Sequence, residues 1–329
     1  MCTALTLQSQ QGETFFGRTM DFSYDIEPML YVLSKNFEWY NVLNSTGFYN
    51  PYSIIGIGQE KDGLFTFFDG VNEKGFAAAA LYFAGFAKFD TQVTLKGKQP
   101  VSSLDVLHYI LGKCESVDQL AEILEKIYIV GLPDPLTHTV APLHWIAADK
   151  SGKCVVIEQT EQGMKLLPNP LGVMTNSPNF EWHMTNLRNY MGVSQKQMSE
   201  VYWGDVRLVP FGQAGGTMLL PGGYTSPERF VRTAFLKTHV QLPEDKNEAV
   251  VTCFNLMNSV TIPKGVVITA HNTSDYTKYI AFINTNTCQY YFRTYDNPQI
   301  VTVSLADYQA VTQAVCIGAL SRPVKFEKM

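Results

Sequence analysis

The order in which hydrophobic patterns follow one another is the strongest constraint this chain places on a fold. Short runs rich in β-branched and aromatic residues occupy positions 3–8, 14–20, 30–33, 52–58, 64–68 and 75–83, divided by glycine or Asn-Asp punctuation, so the N-terminal third reads as sheet. The first two runs flank a polar turn at 10–13 and form a hairpin with Cys2 at the start of its first strand. From Ser103 the period lengthens: Leu104, Leu107, Ile110 and Leu111 recur at helical spacing. After Gly112, a Ser116/Gln119 capping box opens a second helix with Leu120, Ile123, Leu124 and Ile127 on one face. Strand patterns return at 143–148, 154–159, 164–167 and 173–175. Two Ser-Pro signals then start helices, at Ser177 and Ser226, the second putting Arg229 in a first turn where the helix dipole does not account for a cation. A further helix near 249–258 precedes strands at 266–270, 279–284, 289–295 and 300–305. Helices on both faces of stacked antiparallel sheets satisfy this order. The glycine-containing stretch 192–224 stands apart as irregular, a loop or an arm.

Composition narrows the function. Of 329 residues, 46% are hydrophobic and 17% charged, enough apolar material for a large core without a disordered bias. A net charge of -5 with no long basic run argues against a nucleic-acid partner. The longest apolar stretch, 75–86, falls short of the roughly 20 residues a membrane helix needs. The start MCTALTLQSQQ lacks the basic and apolar regions of a secretory signal, so a cytoplasmic location and no membrane association are expected. The 6 cysteines and 6 histidines show neither disulfide-framework nor metal-ligand spacing. Five of those cysteines read as small core hydrophobes. Cys2 differs, because a residue at the extreme terminus is poorly placed to fill a core by itself.

A small residue after the initiator permits removal of Met1, and the α-amine then exposed on Cys2 can take the proton of its own thiol. Nucleophile and base sit in one residue. Arg18 and Asp21, on and just beyond the second strand, lie close enough to face Cys2 across the hairpin; Arg18 would favour the thiolate and Asp21 would orient the amine. On these residues alone, a solvated charge pair on a hairpin is the more ordinary reading.

The segments MCTALTL, FGRTMDF, NEKG at 72–75, MTNSPNFEWH and SPERFVR, in this order over essentially the whole chain, closely resemble the penicillin V acylase and bile salt hydrolase family. That resemblance implies an α+β fold, the four-layer αββα sandwich of N-terminal-nucleophile hydrolases, formed by residues 2–329 as one domain. It implies that Cys2 is the nucleophile, that Arg18 and Asp21 are the charged residues beside it, that Asn176 belongs to the oxyanion hole and that Arg229 is a second catalytic arginine. It also implies a homotetramer, with 192–224 as assembly arm or lid, and a small-molecule N-acyl amide substrate with no metal or organic cofactor. Gly223 departs from the aspartate expected in many relatives.

The reaction expected is attack of Cys2 on a linear amide, an acyl-thioester, and hydrolysis, with Asn176 and a donor near position 82 stabilising the oxyanion. For the substrate, Tyr82 is the discriminating residue. In the resembled family a tyrosine here looks like the penicillin-acylase pattern and an asparagine like the bile-salt pattern. An aromatic ring also stacks on a flat aryl acyl group, with Phe22 and Tyr24 adding to the pocket. Cleavage of phenoxyacetyl amides such as penicillin V is therefore expected. Conjugated bile salts, long-chain N-acyl-homoserine lactones and a non-catalytic acyl- or steroid-binding role are the alternatives.

Overall fold

The computed structural model describes residues 1–40, 47–93, 97–133, 138–326 and 328. Among these, two large antiparallel sheets are stacked face to face. The first runs in the order Val173–Met174, Cys2–Gln8, Thr14–Phe22, Ser274–Asn284, Gln289–Thr294 and Val301–Ser304, with Val267–Ile268 paired beside Ser274–Asn284. The second runs Gly163–Pro168, Cys154–Thr160, Leu143–Ala148, Ala77–Tyr82, Leu64–Asn72, Ile54–Lys61, Met29–Leu33 and Val315–Ala319. Helices Ser226–His239 and Lys246–Asn258 cover the first sheet, and Val106–Lys113 with Leu120–Glu125 covers the second. The expected αββα layering is present.

Strand periodicity explains the layers. Ala77, Ala79, Leu81, Ile146 and Ala148 pack between the sheets, while Ala78, Trp145 and Ala147 turn to the outer helices with Leu107, Ile110 and Leu111. The run of alanines lets those helices approach closely. At the centre of the first sheet, a Cβ on Gly17 would stand 2.3 Å from Ala281 O and from the Phe282 ring, so only glycine admits that packing.

Several sequence expectations shift when the chain folds. The Ser116 cap does not form: Gln119 accepts from the Glu115 N–H at 2.9 Å, and the Val117 N–H goes instead to Asp149 at 2.8 Å. Ile127 leaves the helix to begin a strand, Ile127–Val130, parallel to Gln99–Ser102. At Ser177–Pro178 the peptide is cis, Ser177 donates to Ala84 O at 2.6 Å, and Asn179 caps the helix, which begins at Phe180. The other Ser-Pro signal is offset by one residue, because Thr225 and Glu228 make a reciprocal capping box. Gly223 lies against that box: a Cβ there would stand 2.4 Å from the Glu228 carboxylate, whose negative charge an aspartate would also oppose. Cys114, Cys154, Cys253 and Cys288 are buried as expected, whereas Cys316 is exposed on the edge strand Val315–Ala319. Within 192–224 a small hairpin, Val201–Trp203 with Val206–Leu208, projects with every residue exposed. No helix among the described residues is long and apolar enough to cross a membrane.

Candidate active site

The N-terminal hairpin sets the site through its register. Cys2 lies opposite Met20, Thr3 opposite Thr19 and Ala4 opposite Arg18. Directly opposed residues share a face, so Cys2, Arg18 and Met20 point toward the second sheet, and Thr3, Thr19 and Asp21 point toward the helix layer. Arg18 and Asp21 are therefore separated by the sheet rather than gathered side by side around the thiol.

On the inner face Arg18 Nη2 lies 2.6 Å from Cys2 Sγ and 3.0 Å from Met20 Sδ. Its remaining donors meet Phe68 O at 3.0 Å and Thr19 O at 3.1 Å, and Asp69 stands 3.8 Å from Nη1. Burial alone would lower the pKa of this guanidinium, but Cys2 first, then Tyr279, Asp69 and Asp21, outweigh it and hold Arg18 fully charged. Asp69 accepts from Tyr279 at 2.6 Å and from Tyr290 at 2.9 Å.

On the helix face Arg229, wholly buried, donates to Cys2 O and to Thr3 Oγ1, each at 2.5 Å, to Asn176 Oδ1 at 2.7 Å and to Tyr224 O at 3.0 Å. Asp21 lies 4.0 Å from Arg229 and accepts from Thr19 at 3.0 Å and Thr277 at 2.6 Å. Desolvation raises the Asp21 pKa, opposed chiefly by Arg229, and desolvation lowers that of Arg229, opposed chiefly by Asp21. The first-turn cation that looked unexplained in the sequence is the buried partner of Asp21.

Asn176 joins the two faces. Its Oδ1 accepts from the Cys2 N–H at 2.8 Å, and its Nδ2 donates to Tyr82 O at 2.8 Å, leaving a second amide hydrogen. Its backbone N–H meets Ser226 Oγ at 2.9 Å and its carbonyl meets His183 Nε2 at 2.8 Å, so the strand-to-helix junction is held by groups from two helices. Met1 is still attached in this chain. Its ammonium donates to Asp21 O at 2.5 Å and to Asp275 at 3.2 Å.

Beside Cys2 opens a cavity of about 710 Å³, walled by Met20, Phe22, Ile26, Leu64, Phe67, Phe68, Tyr82 and Leu143, with Gln59 to Asp62 among its polar lining. The Tyr82 ring packs 6.1 Å from Phe22. Tyr24 is not among the lining residues and lies exposed with its ring tilted against Phe22, the centroids 5.3 Å apart. Among the described residues no three His, Cys, Asp or Glu side chains gather to hold a metal ion. Sequence reasoning missed Asp69, Asp275, Tyr279, Tyr290 and His183, which lie outside the quoted motifs or, for His183, were read only as helix.

A buried thiol at a strand end, a guanidinium on its sulfur and a side-chain amide against its nitrogen define an N-terminal-nucleophile hydrolase site. Residues 2–318 match the family model described as linear amide C-N hydrolases, choloylglycine hydrolase family, and the chain belongs to that family. It is 33% identical to the bile salt hydrolase/transferase of Clostridium perfringens over 93% of this chain and 92% of that one. It is 32% identical to a conjugated bile acid hydrolase of Lactobacillus gasseri over 93% and 96%. A penicillin V acylase of Pectobacterium atrosepticum is 26% identical over 88% and 76%. The solved structure of the C2A variant of the Clostridium perfringens conjugated bile acid hydrolase superposes with a TM-score of 0.92 at 30% identity, covering 100% of this chain and 99% of that one. The penicillin V acylase of Agrobacterium tumefaciens shares the fold, with a TM-score of 0.74 at 22% identity over 94% and 88%. The protein is accordingly an enzyme that hydrolyses a linear amide bond with an N-terminal cysteine nucleophile.

Burial around Asn176 has a pH consequence. Desolvation pushes His183 down to about 4 from 6.5, against the opposing hydrogen bond to Asn176. Between those values the unfolded chain binds a proton that the folded one does not, so this group withdraws stability as pH falls from 6.5 toward 4. The slope is about 1.4 kcal/mol per pH unit. Chemical denaturation of His183→Gln between pH 6.5 and 4.5 is expected to show a pH dependence shallower by about that amount; an unchanged slope contradicts the assignment.

Proposed function

We propose that this enzyme cleaves the amide of conjugated bile acids, with Cys2 as nucleophile, its own α-amine as base once Met1 is removed, and Asn176 as an oxyanion donor. Cys2 Sγ attacks the amide carbon while the thiol proton moves to the α-amine. The second Nδ2 hydrogen of Asn176 and a main-chain donor near Tyr82 stabilise the oxyanion. The α-amine protonates the leaving amine, and water, deprotonated by the same amine, hydrolyses the acyl-thioester. Arg18 stabilises the thiolate, and Arg229 fixes Cys2 O and the Asn176 amide. Asp21 pairs with Arg229 on the helix face of the sheet and offers its main-chain carbonyl to a terminal amine.

The observation that carries the substrate is the cavity. About 710 Å³ of mostly apolar space beside the thiol suits a rigid steroid acyl group, whereas a phenoxyacetyl group uses only part of it. Sequence identity weighs the same way, at 31–33% to bile-salt enzymes against 26% to a penicillin V acylase. This reverses the preference drawn from Tyr82. Its ring packs with Phe22 as one wall and leaves the large volume open. The penicillin V reading remains the second one, because a tyrosine in that wall still offers an aryl group a stacking face.

We also propose that 2–329 act as one domain and that 192–224 is an assembly arm of a homotetramer. Tyr202, Trp203, Val206 and Phe211 are exposed there, an apolar surface that a second copy would cover.

Three measurements test these readings. Intact mass of the purified enzyme should show a chain starting at Cys2; a fully active population retaining Met1 would sink the mechanism, since its α-amine is one residue from the thiol. Catalytic efficiency on glycocholate, penicillin V and a long-chain acyl-homoserine lactone should favour glycocholate by about tenfold or more, a gap of about 1.4 kcal/mol. A win for penicillin V restores the Tyr82 argument and leaves Cys2 untouched. Sedimentation should give a tetramer, and a monomer at working concentration would remove the assembly role of the arm.

A further inference from the structure

We infer that Asp69 is the counter-ion of Arg18, a positioning residue that acts through that guanidinium to set how readily the Cys2 thiol ionises. It reaches the reaction by a chain of contacts: Cys2 Sγ lies 2.6 Å from Arg18 Nη2, and Arg18 Nη1 lies 3.8 Å from Asp69 Oδ2. Asp69 comes from the opposite sheet, on strand Leu64–Asn72, and is 1% exposed. Both of its oxygens act as acceptors, Oδ2 from the Tyr279 hydroxyl and Oδ1 from the Tyr290 hydroxyl, the arrangement that suits an ionised carboxylate. Desolvation pushes Asp69 toward its neutral form, and Arg18 with the two phenols opposes it.

Charge bookkeeping across the sheet makes Asp69 necessary. Two almost wholly buried arginines flank Cys2, and each has a carboxylate within 4.0 Å: Asp21 for Arg229 on the helix face, and Asp69 for Arg18 on the inner face. With both pairs balanced, the thiolate and the protonated α-amine of Cys2 form a third neutral pair. Without Asp69 the inner face carries an uncompensated cation whose nearest anion is the Cys2 sulfur. The ionisable and charged groups around this centre are Asp21, the terminal amine, Asp69, Tyr279, Tyr290 and Asp275 from the strands, and Arg229 from the helix. Asp69→Asn removes one charge while keeping the shape, so the thiol must become more acidic.

This inference rests on Cys2 being the nucleophile, and the experiment separates the two. The enzyme, as purified, is treated with iodoacetamide across a pH series; the N-terminal peptide is followed by mass spectrometry, and activity is read in parallel. In Asp69→Asn the midpoint of Cys2 alkylation is expected about one pH unit or more below that of the parent, the size of shift one nearby charge gives. Asp69→Ser, equally neutral but smaller, should move it the same way, so either folded variant suffices. A merely structural role would release Arg18 from the sulfur and move the midpoint up. An unchanged or raised midpoint, with alkylation still abolishing activity, overturns the counter-ion role alone. Full activity after Cys2 is alkylated overturns the nucleophile, and this inference with it.

Discussion

Everything at this site depends on two guanidinium groups that lie wholly inside the protein. A buried cation is strongly destabilising unless it is paired and its donors are filled. Arg18 and Arg229 meet both conditions, each with a carboxylate within 4.0 Å and with carbonyl, hydroxyl, amide or sulfur acceptors for its remaining hydrogens. Neither partner comes from the arginine's own element. Asp69 reaches Arg18 from the second sheet, and Arg229 reaches Asp21 from a helix, so the stacking of all three layers is a condition for the charges to balance. The same neutral arrangement lets the Cys2 sulfur sit 2.6 Å from a guanidinium without a net charge accumulating in the core.

Much of this was legible in the sequence, and the reasons differ by residue. The hairpin is readable because 3–8 and 14–20 are short β-rich runs on either side of a polar, glycine-containing turn, and its register brings Arg18 to the face that carries Cys2. Parity could have gone further: 18 and 21 differ by an odd number, so on one strand their side chains must point to opposite faces. Placing both against Cys2 across the hairpin, Arg18 for the thiolate and Asp21 for the amine, takes no account of that spacing. Arg229 was flagged by its mismatch with the helix dipole, a local signal with a non-local cause. Asp69, Tyr279 and Tyr290 left no such trace, because what singles them out is stacking between sheets that are distant in sequence. Helix ends were displaced for a similar reason. Asp149, from another turn, takes the Val117 N–H at the start of the helix that Ser116 was expected to cap.

Catalysis and selectivity are built from different parts of the structure. The charged centre is fixed by strand register, by the Thr225–Glu228 capping box and by the Asn176 junction. Much of the cavity wall comes instead from the ends and connections of strands, with Phe22 closing one strand, Ile26 in the turn beyond it, and Gln59 to Asp62 at the tip of another hairpin. Side chains there can vary without touching the charge pairs. One chemistry can therefore serve different acyl groups, and a single wall residue such as Tyr82 is a weak guide to which.

Met1 shows how the site is completed from within the backbone. Its carbonyl accepts from the Asp21 N–H at 3.0 Å, and its ammonium occupies the Asp21 carbonyl and the Asp275 carboxylate. While it remains, Cys2 N is an amide nitrogen whose lone pair is delocalised into the peptide bond and cannot take a proton. Cleavage of that bond turns Cys2 N into an amine already 2.8 Å from Asn176 Oδ1 and releases the acceptors that Met1 had been using. The new amine carries more hydrogens than the amide had, and the Asp21 carbonyl and Asp275 are the acceptors that the departing Met1 ammonium leaves open. Removal of one residue thus exposes an amine on the cysteine itself and frees the acceptors that Met1 had been using.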